Sequence, residues 1–249
     1  MLWIGDVHLA PGYDSKRMKV AGEFAASFRP DVLGFIGDVG DMPSLNLHRN
    51  RIESEGERYH VDCEAVRDGL SDLMRPIYAA KKKLPTRIWV GGNHENYIRR
   101  LVAQDPKMSG HVNLERDLGV TDFGFQYFEY QDRVPVAGFL FCHNIATKSS
   151  IAADVTSPKW GFKKKGVSMV CGHTHTKVHE EHPMLQMDGT YRKIHGINLG
   201  CFIHKDMGYQ EHWSRNTEYT YDRGIWTFEN AKDGDARITF HRAKEDLGV

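Results

Sequence analysis

Short apolar runs bounded by turn residues recur along the chain, with helical periodicity between the earlier ones. Residues 1–4, 32–36, 87–90, 136–142, 167–171 and 194–199 read as strands, buried on both faces where the run is continuously apolar. Over residues 16–28, KRMKVAGEFAASF sets its apolar positions on one helical face and stops before Pro30. Residues 57–83 read as a long helix or a pair broken at Pro76, since proline removes an N–H and crowds the preceding turn. Another helix is expected over 96–103. Runs at 224–228 and 237–241 flank Lys232-Asp233-Gly234-Asp235, a hairpin signal. Helical connections after the first strands imply parallel pairing there, and the strand-rich remainder implies a second sheet. The pattern predicts an α/β sandwich of two packed sheets with helices outside. No repeat or low-complexity linker interrupts it, so residues 1–249 are expected to form one domain.

At 40% hydrophobic and 27% charged, the chain has the composition of an ordinary globular protein with enough length for a substantial core. Its 33 Lys+Arg balance 33 Asp+Glu, which argues against coating nucleic acid or anionic membrane by bulk charge and leaves a local basic patch as the route to such partners. No apolar stretch approaches the roughly 18 residues of a membrane span. The start, Met1-Leu2-Trp3-Ile4-Gly5-Asp6, lacks the basic region and apolar core of a secretory leader. Cys63, Cys142, Cys171 and Cys201 show no Cys-x-x-Cys spacing and read as buried thiols, so a cytoplasmic protein is expected. The 14 histidines change the picture more than the charge does.

Chemistry gathers where strands end. The first run leads into Gly5-Asp6-Val7-His8, the second into Gly37-Asp38-Val39-Gly40-Asp41, and the third into Gly91-Gly92-Asn93-His94-Glu95. Two later runs lead into His143-Asn144 and Gly172-His173-Thr174-His175. Open α/β sheets place ligand sites at the carboxyl ends of their strands, where loops converge on a rigid frame. Imidazole, carboxylate and one carboxamide oxygen suit Mn, Fe, Zn, Ni or Co, and there is no thiolate set. Any one of these motifs alone reads as a turn or a satisfied polar group, but five at equivalent positions do not read as coincidence.

In order and rough spacing, Asp6-x-His8, Gly37-Asp38-x-x-Asp41, Gly92-Asn93-His94-Glu95, His143 and Gly172-His173-x-His175 resemble the signature of calcineurin-like metallophosphoesterases. The resemblance extends from about residue 4 to about 200, where Gly196-Ile197-Asn198-Leu199-Gly200 looks like the element after the last His pair. It implies a four-layer α/β/β/α sandwich and two divalent metal ions, manganese first among the suitable ones. By that likeness Asp6, His8, Asp38 and His175 hold one ion, Asp38, Asn93, His143 and His173 hold the other, and Asp38 bridges. A bridging hydroxide would attack phosphorus in line, since paired metals lower the pKa of shared water. His94 would be no ligand but a proton donor or charge stabiliser at the leaving oxygen, oriented by Asp41.

The substrate is less marked. Protein Ser/Thr phosphatases of the family place arginine at two phosphate-contacting positions, where this chain has Met42 and Gly91. Arg99 and Arg100 are candidate replacements. Between His143 and His173, Lys148, Lys159, Lys163, Lys164 and Lys165 face only Asp154, with Trp160 and Phe162 interleaved. Basic and aromatic residues beside a phosphoesterase centre suit a nucleic acid or nucleotide, as does the aromatic-rich stretch 209–221 if it lines the same cleft. A phosphodiesterase or nuclease is therefore expected ahead of a small-molecule or protein phosphomonoesterase. A non-catalytic metal-binding scaffold would have lost ligands or the catalytic His, and all are present. The other histidines, His179, His195 and His204 among them, lack ligand spacing and read as surface or structural.

Overall fold

The computed structural model describes residues 1–46, 55–144, 166–207 and 222–249. In chain order the strands are β1 (Leu2–Ile4), β2 (Val32–Phe35), β3 (Thr86–Val90), β4 (Gln126–Phe128), β5 (Val134–Val136), β6 (Phe139–Phe141), β7 (Ser168–Cys171), β8 (Lys177–Leu185), β9 (Tyr191–Leu199), β10 (Gly224–Lys232) and β11 (Asp235–Arg242). The helices are α1 (Lys16–Phe28), α2 (Tyr59–Ala79), α3 (Glu95–Gln104) and the single turn α4 (Leu114–Asp117).

Two mixed sheets result, with strand orders β11-β10-β1-β2-β3-β4 and β5-β6-β7-β9-β8. β1 through β4 run parallel in the first, and β6, β7 and β9 run parallel in the second. In the first sheet the continuous apolar runs have the cause given for them in the sequence: both faces are covered. One face of the first sheet (Leu2, Ile4, Leu33, Phe35, Trp89) packs on Met18, Ala21, Val66, Leu70 and Leu73 of α1 and α2. The other face meets the second sheet through Trp3, Ile36, Val90, Phe141, Val170 and Ile197. There Trp3 stacks on Phe141 with centroids 3.7 Å apart and planes 10° from parallel. The described helices pack on the first sheet, so helix, sheet and sheet are the three layers that the described residues supply.

One expected strand is split, one alternative is decided, and strands β4 and β8 appear that the sequence pattern did not announce. The run 136–142 is not one strand: it holds the turn of the hairpin β5–β6, at Ala137 and Gly138 with φ of 50° and 82°, so that Val136 ends β5 and Phe139 begins β6. Two left-handed central residues make the two-residue turn whose twist matches the strands, and a run apolar throughout hides it. α2 runs through Pro76 as one helix, the long-helix alternative, and ends three residues beyond it at Ala79. β8 carries Lys, His and Glu and lies at a sheet edge, so apolar periodicity does not announce it. β4 is only three residues long.

Candidate metal centre

The parallel strands of both sheets end on the same side, and their loops are sewn together by backbone bonds. His8 N donates to Asp38 O at 2.9 Å and Leu9 N to Val39 O at 2.7 Å. Gly172 N donates to His143 O at 2.9 Å, and Phe202 N to Asp6 O at 3.0 Å. The loops turn sharply: Asp6, His8, Asp38, His173 and His175 all have positive φ, at 21°, 50°, 48°, 72° and 57°. Each such residue costs on the order of 1–3 kcal/mol and persists only where the surroundings hold it. Gly92 lies against the Asp38 carboxylate and backbone N, so a Cβ there would collide with both.

Asp6, His8 and His175 form one triad, and Asp38, His143 and His173 another, with ligand atoms in each within 4.8 Å of one another. Asp38 stands between them: its Oδ2 lies 3.1 Å from His143 Nε2 and 3.9 Å from His8 Nε2. In the first triad His8 Nε2 lies 3.1 Å from His175 Nε2, which lies 3.7 Å from Asp6 Oδ1. In the second, Asn93 Oδ1 lies 3.0 Å from His143 Nε2. His173 contributes twice, since its backbone N–H also donates to both Asp6 oxygens at 3.0 Å.

The donor set fits divalent cations. Ile36 O can only accept, so His143 Nδ1 donates to it at 2.8 Å. That leaves Nε2 as a lone pair facing the oxygens of Asn93 and Asp38. His8 Nδ1 donates likewise to Asp41 Oδ1 at 2.8 Å, leaving its Nε2 lone pair 3.1 Å from His175 Nε2. Acceptors aimed at one another repel unless positive charge sits among them. A ligating His commonly donates its other N–H to a carboxylate or carbonyl, as both do here.

The electrostatics report the same demand. Burial works to lower the His143 pKa, but Asp38 and Asp6 outweigh it and raise it to about 9. Burial and then His143 push His173 down to about 4, and burial with His8 holds His175 well below its ordinary value. Burial would raise Asp38, yet His143, His94 and His8 together hold it below the usual carboxylate range, whereas burial lifts Asp6 above it. The pocket thus keeps neutral imidazoles at His173 and His175 beside a carboxylate that holds its charge.

His94 is buried at the rim of this cluster. Its Nδ1 donates to the backbone carbonyl of Asp41 at 2.5 Å, while the Asp41 carboxylate is 3.5 Å away. Asp41 thus faces His94 as expected, its carbonyl the closer partner and its carboxylate the farther, while the carboxylate's short bond goes to His8. Burial opposes protonation of His94, but Asp38 and Asp41 outweigh it and raise its pKa.

Arg99 is clamped by Glu115 and Glu129, each 2.6 Å from its Nη2, which offsets its charge. Arg100 is exposed on α3. Lys148, Lys159, Lys163, Lys164, Lys165, Trp160, Phe162 and the stretch 209–221 lie outside the described residues. The four cysteines are buried and free, as expected of small apolar side chains.

Three buried residues escaped the sequence reading. The Glu95 carboxylate accepts from the N–H groups of Gly92 (2.7 Å), Asp38 (3.0 Å), Val39 (2.7 Å) and Gly40 (3.2 Å), locking two strand-end loops together. Its signal was an acid in the first turn of a helix, where the dipole favours it. Asn198 donates to Gly172 O (3.0 Å) and Thr174 Oγ1 (2.7 Å), and its place inside an apolar run was the clue. Arg17 interrupts the apolar face of α1 because its guanidinium serves the carbonyls of Val7, Asp14 and Phe202.

Two facing sheets whose strand ends deliver acid, carboxamide and imidazole to one pocket define a metal-dependent esterase scaffold. A family model described as calcineurin-like phosphoesterase matches residues 1–177, ending just beyond His175, and the chain belongs to that family. It is a metal-dependent phosphoesterase, a hydrolase of phosphate esters. No curated protein matches the chain.

Proposed function

We propose that this chain hydrolyses phosphodiester bonds of nucleic acid or nucleotides, with one divalent cation on Asp6, His8, Asp38 and His175 and another on Asp38, Asn93, His143 and His173. The observation that carries the two-ion reading is Asp38, whose single carboxylate faces His143 on one side and His8 on the other. Two such cations supply positive charge to a phosphoryl group and lower the pKa of nearby water. Manganese is the first choice for this nitrogen and oxygen set, with Fe, Zn, Ni or Co also suited.

The protein's own groups do the rest. Asp6 and Asp38 carry less negative charge than two divalent cations carry positive, so an anionic ester is drawn in. His94, tied through Nδ1–H to the Asp41 carbonyl, presents Nε2 to the leaving oxygen, and the raised pKa supports a protonated ring that donates there. The diester preference is supported by the basic, aromatic-bearing segment between His143 and His173 and by Met42 and Gly91 in place of phosphate-contacting arginines. Among the described residues no helix is long and apolar enough to cross a membrane. Action in the cytoplasm, by one domain spanning 1–249, completes the proposal.

With Mn²⁺ supplied, p-nitrophenyl phosphate, bis-p-nitrophenyl phosphate and labelled single- and double-stranded DNA are assayed side by side. Turnover of the diester and DNA is expected, and turnover of the monoester alone overturns the substrate class. Changing Lys163, Lys164 and Lys165 together to Ala should weaken DNA binding and flatten its salt dependence by about one to three units of slope. Unchanged binding would remove that segment from the reading.

A further inference from the structure

A second group of metal-ligating side chains lies on the β8–β9 ladder, on strands that deliver no ligand to the centre described above. His179 and Glu181 are two apart on β8 and so share a face, and His195 on β9 pairs directly with Glu181. Ligand atoms of the three lie within 4.8 Å of one another. His195 is buried, whereas His179 and Glu181 stand at the exposed margin of the inter-sheet space.

The orientation of His195 is fixed from the other sheet. Its Nε2 donates to Asp235 Oδ1 of β11 at 2.9 Å, since a carboxylate accepts. Its Nδ1 is therefore a lone pair, and it faces His179 Nε2 at 3.2 Å. Nitrogens about 2.0–2.1 Å from a tetrahedral zinc ion stand about 3.3 Å from each other, which this pair matches. Glu181 Oε2 is held by Lys193 Nζ at 2.9 Å, and Oε1 lies 4.0 Å from both His179 Nε2 and His195 Nδ1. The side chain of Glu181 is about half exposed, so a small rotation brings Oε1 to bonding distance.

We propose that His179, Glu181 and His195 form a further divalent-cation site of zinc type, with Asp235 orienting His195 from the opposite sheet. Imidazole and carboxylate in a two-to-one ratio suit Zn²⁺, with the fourth position left to water, and Asp235 supplies the outer carboxylate that such histidines commonly have. The ion clips the outermost strand of the second sheet to its neighbour, and through Asp235 to the first sheet. β8 has few apolar side chains with which to hold that position itself.

The test uses the full chain, stripped of metal and then dialysed against Zn²⁺ alone, with bound metal counted by elemental analysis. Wild type should bind about one equivalent more than either His179→Ala or Glu181→Gln. Both variants should keep diesterase turnover, and Asp38→Asn should retain this equivalent. Co²⁺ in place of Zn²⁺ should give visible bands, and the wild-type spectrum should exceed that of His179→Ala by the intense bands of one tetrahedral site. Equal zinc content in wild type and both variants overturns the proposal and leaves the His179–His195 contact as a hydrogen bond only. Because His179 and Glu181 are not core residues, the metal-free variants should unfold near the wild-type temperature. If His179→Ala does not, the zinc count of Glu181→Gln decides.

Discussion

The two ring nitrogens of His8 face opposite ways, Nδ1 toward Asp41 Oδ1 at 2.8 Å and Nε2 toward His175 Nε2 at 3.1 Å. Asp41 therefore acts on two histidines: its carboxylate bonds His8 and adds charge 3.5 Å from His94, and its carbonyl accepts from His94. The variants separate these jobs. Asp41→Asn takes charge from behind His8 and from beside His94 but keeps the carbonyl, so metal affinity should fall about 10–100-fold, measured by titration of the metal-free protein. His94→Ala should leave metal content intact and lower turnover roughly 10²–10⁴-fold. Loss of metal in His94→Ala would instead make that ring a ligand. Asp41 was legible as a functional acid because of its distance from Asp38 along the chain, but which of its atoms serves which ring is a matter of fold.

At the scale of elements, the first sheet depends on a close crossing of α1 and α2. Gly22 of α1 lies against the backbone carbonyl of Leu73 in α2, and a Cβ there would overlap it. Alanine within a helix ordinarily stabilises by about 0.5–1 kcal/mol over glycine. Here the sign should reverse: Gly22→Ala is expected to destabilise by about 1–3 kcal/mol, read from denaturant unfolding, because the helices must separate. Elements with strong apolar periodicity, α1 and the parallel strands, were legible in the sequence. Those whose identity depends on neighbours were not: β8 is a strand because β9 pairs with it along its whole length, and β5 and β6 separate at a turn set by backbone conformation.

For the whole molecule, the pocket couples protonation, metal and stability. His143 has a pKa raised from 6.5 to about 9 in the folded state, so its contribution is fully present below pH 6.5 and lost as pH rises through 9. Asp6, also raised by burial, acts in the same direction. His173, lowered to about 4, contributes above pH 6.5 and loses that contribution only as pH falls through 4. Metal-free protein in EDTA should thus show a melting temperature that falls between pH 6.5 and 9. Cations compete with protons for the same atoms, so the rise in melting temperature on adding Mn²⁺ should grow across that interval. A Mn²⁺ effect independent of pH would mean that His143 is not among the ligands.

The sequence by itself determined the two-sheet frame, the side of it on which chemistry gathers, and the residue types gathered there. Strand-end motifs such as Gly-Asp and Gly-His-x-His are local, and local patterns survive in one dimension. Tertiary structure alone decided that one carboxylate, Asp38, faces both triads, that Glu95 holds four backbone N–H groups from two loops, and that Arg99 is already occupied by two acids. It alone also set His195 between Asp235 and His179, partners 40 and 16 residues away along the chain. Such contacts depend on register and on the packing of one sheet over another, and no spacing between neighbours in a sequence encodes either.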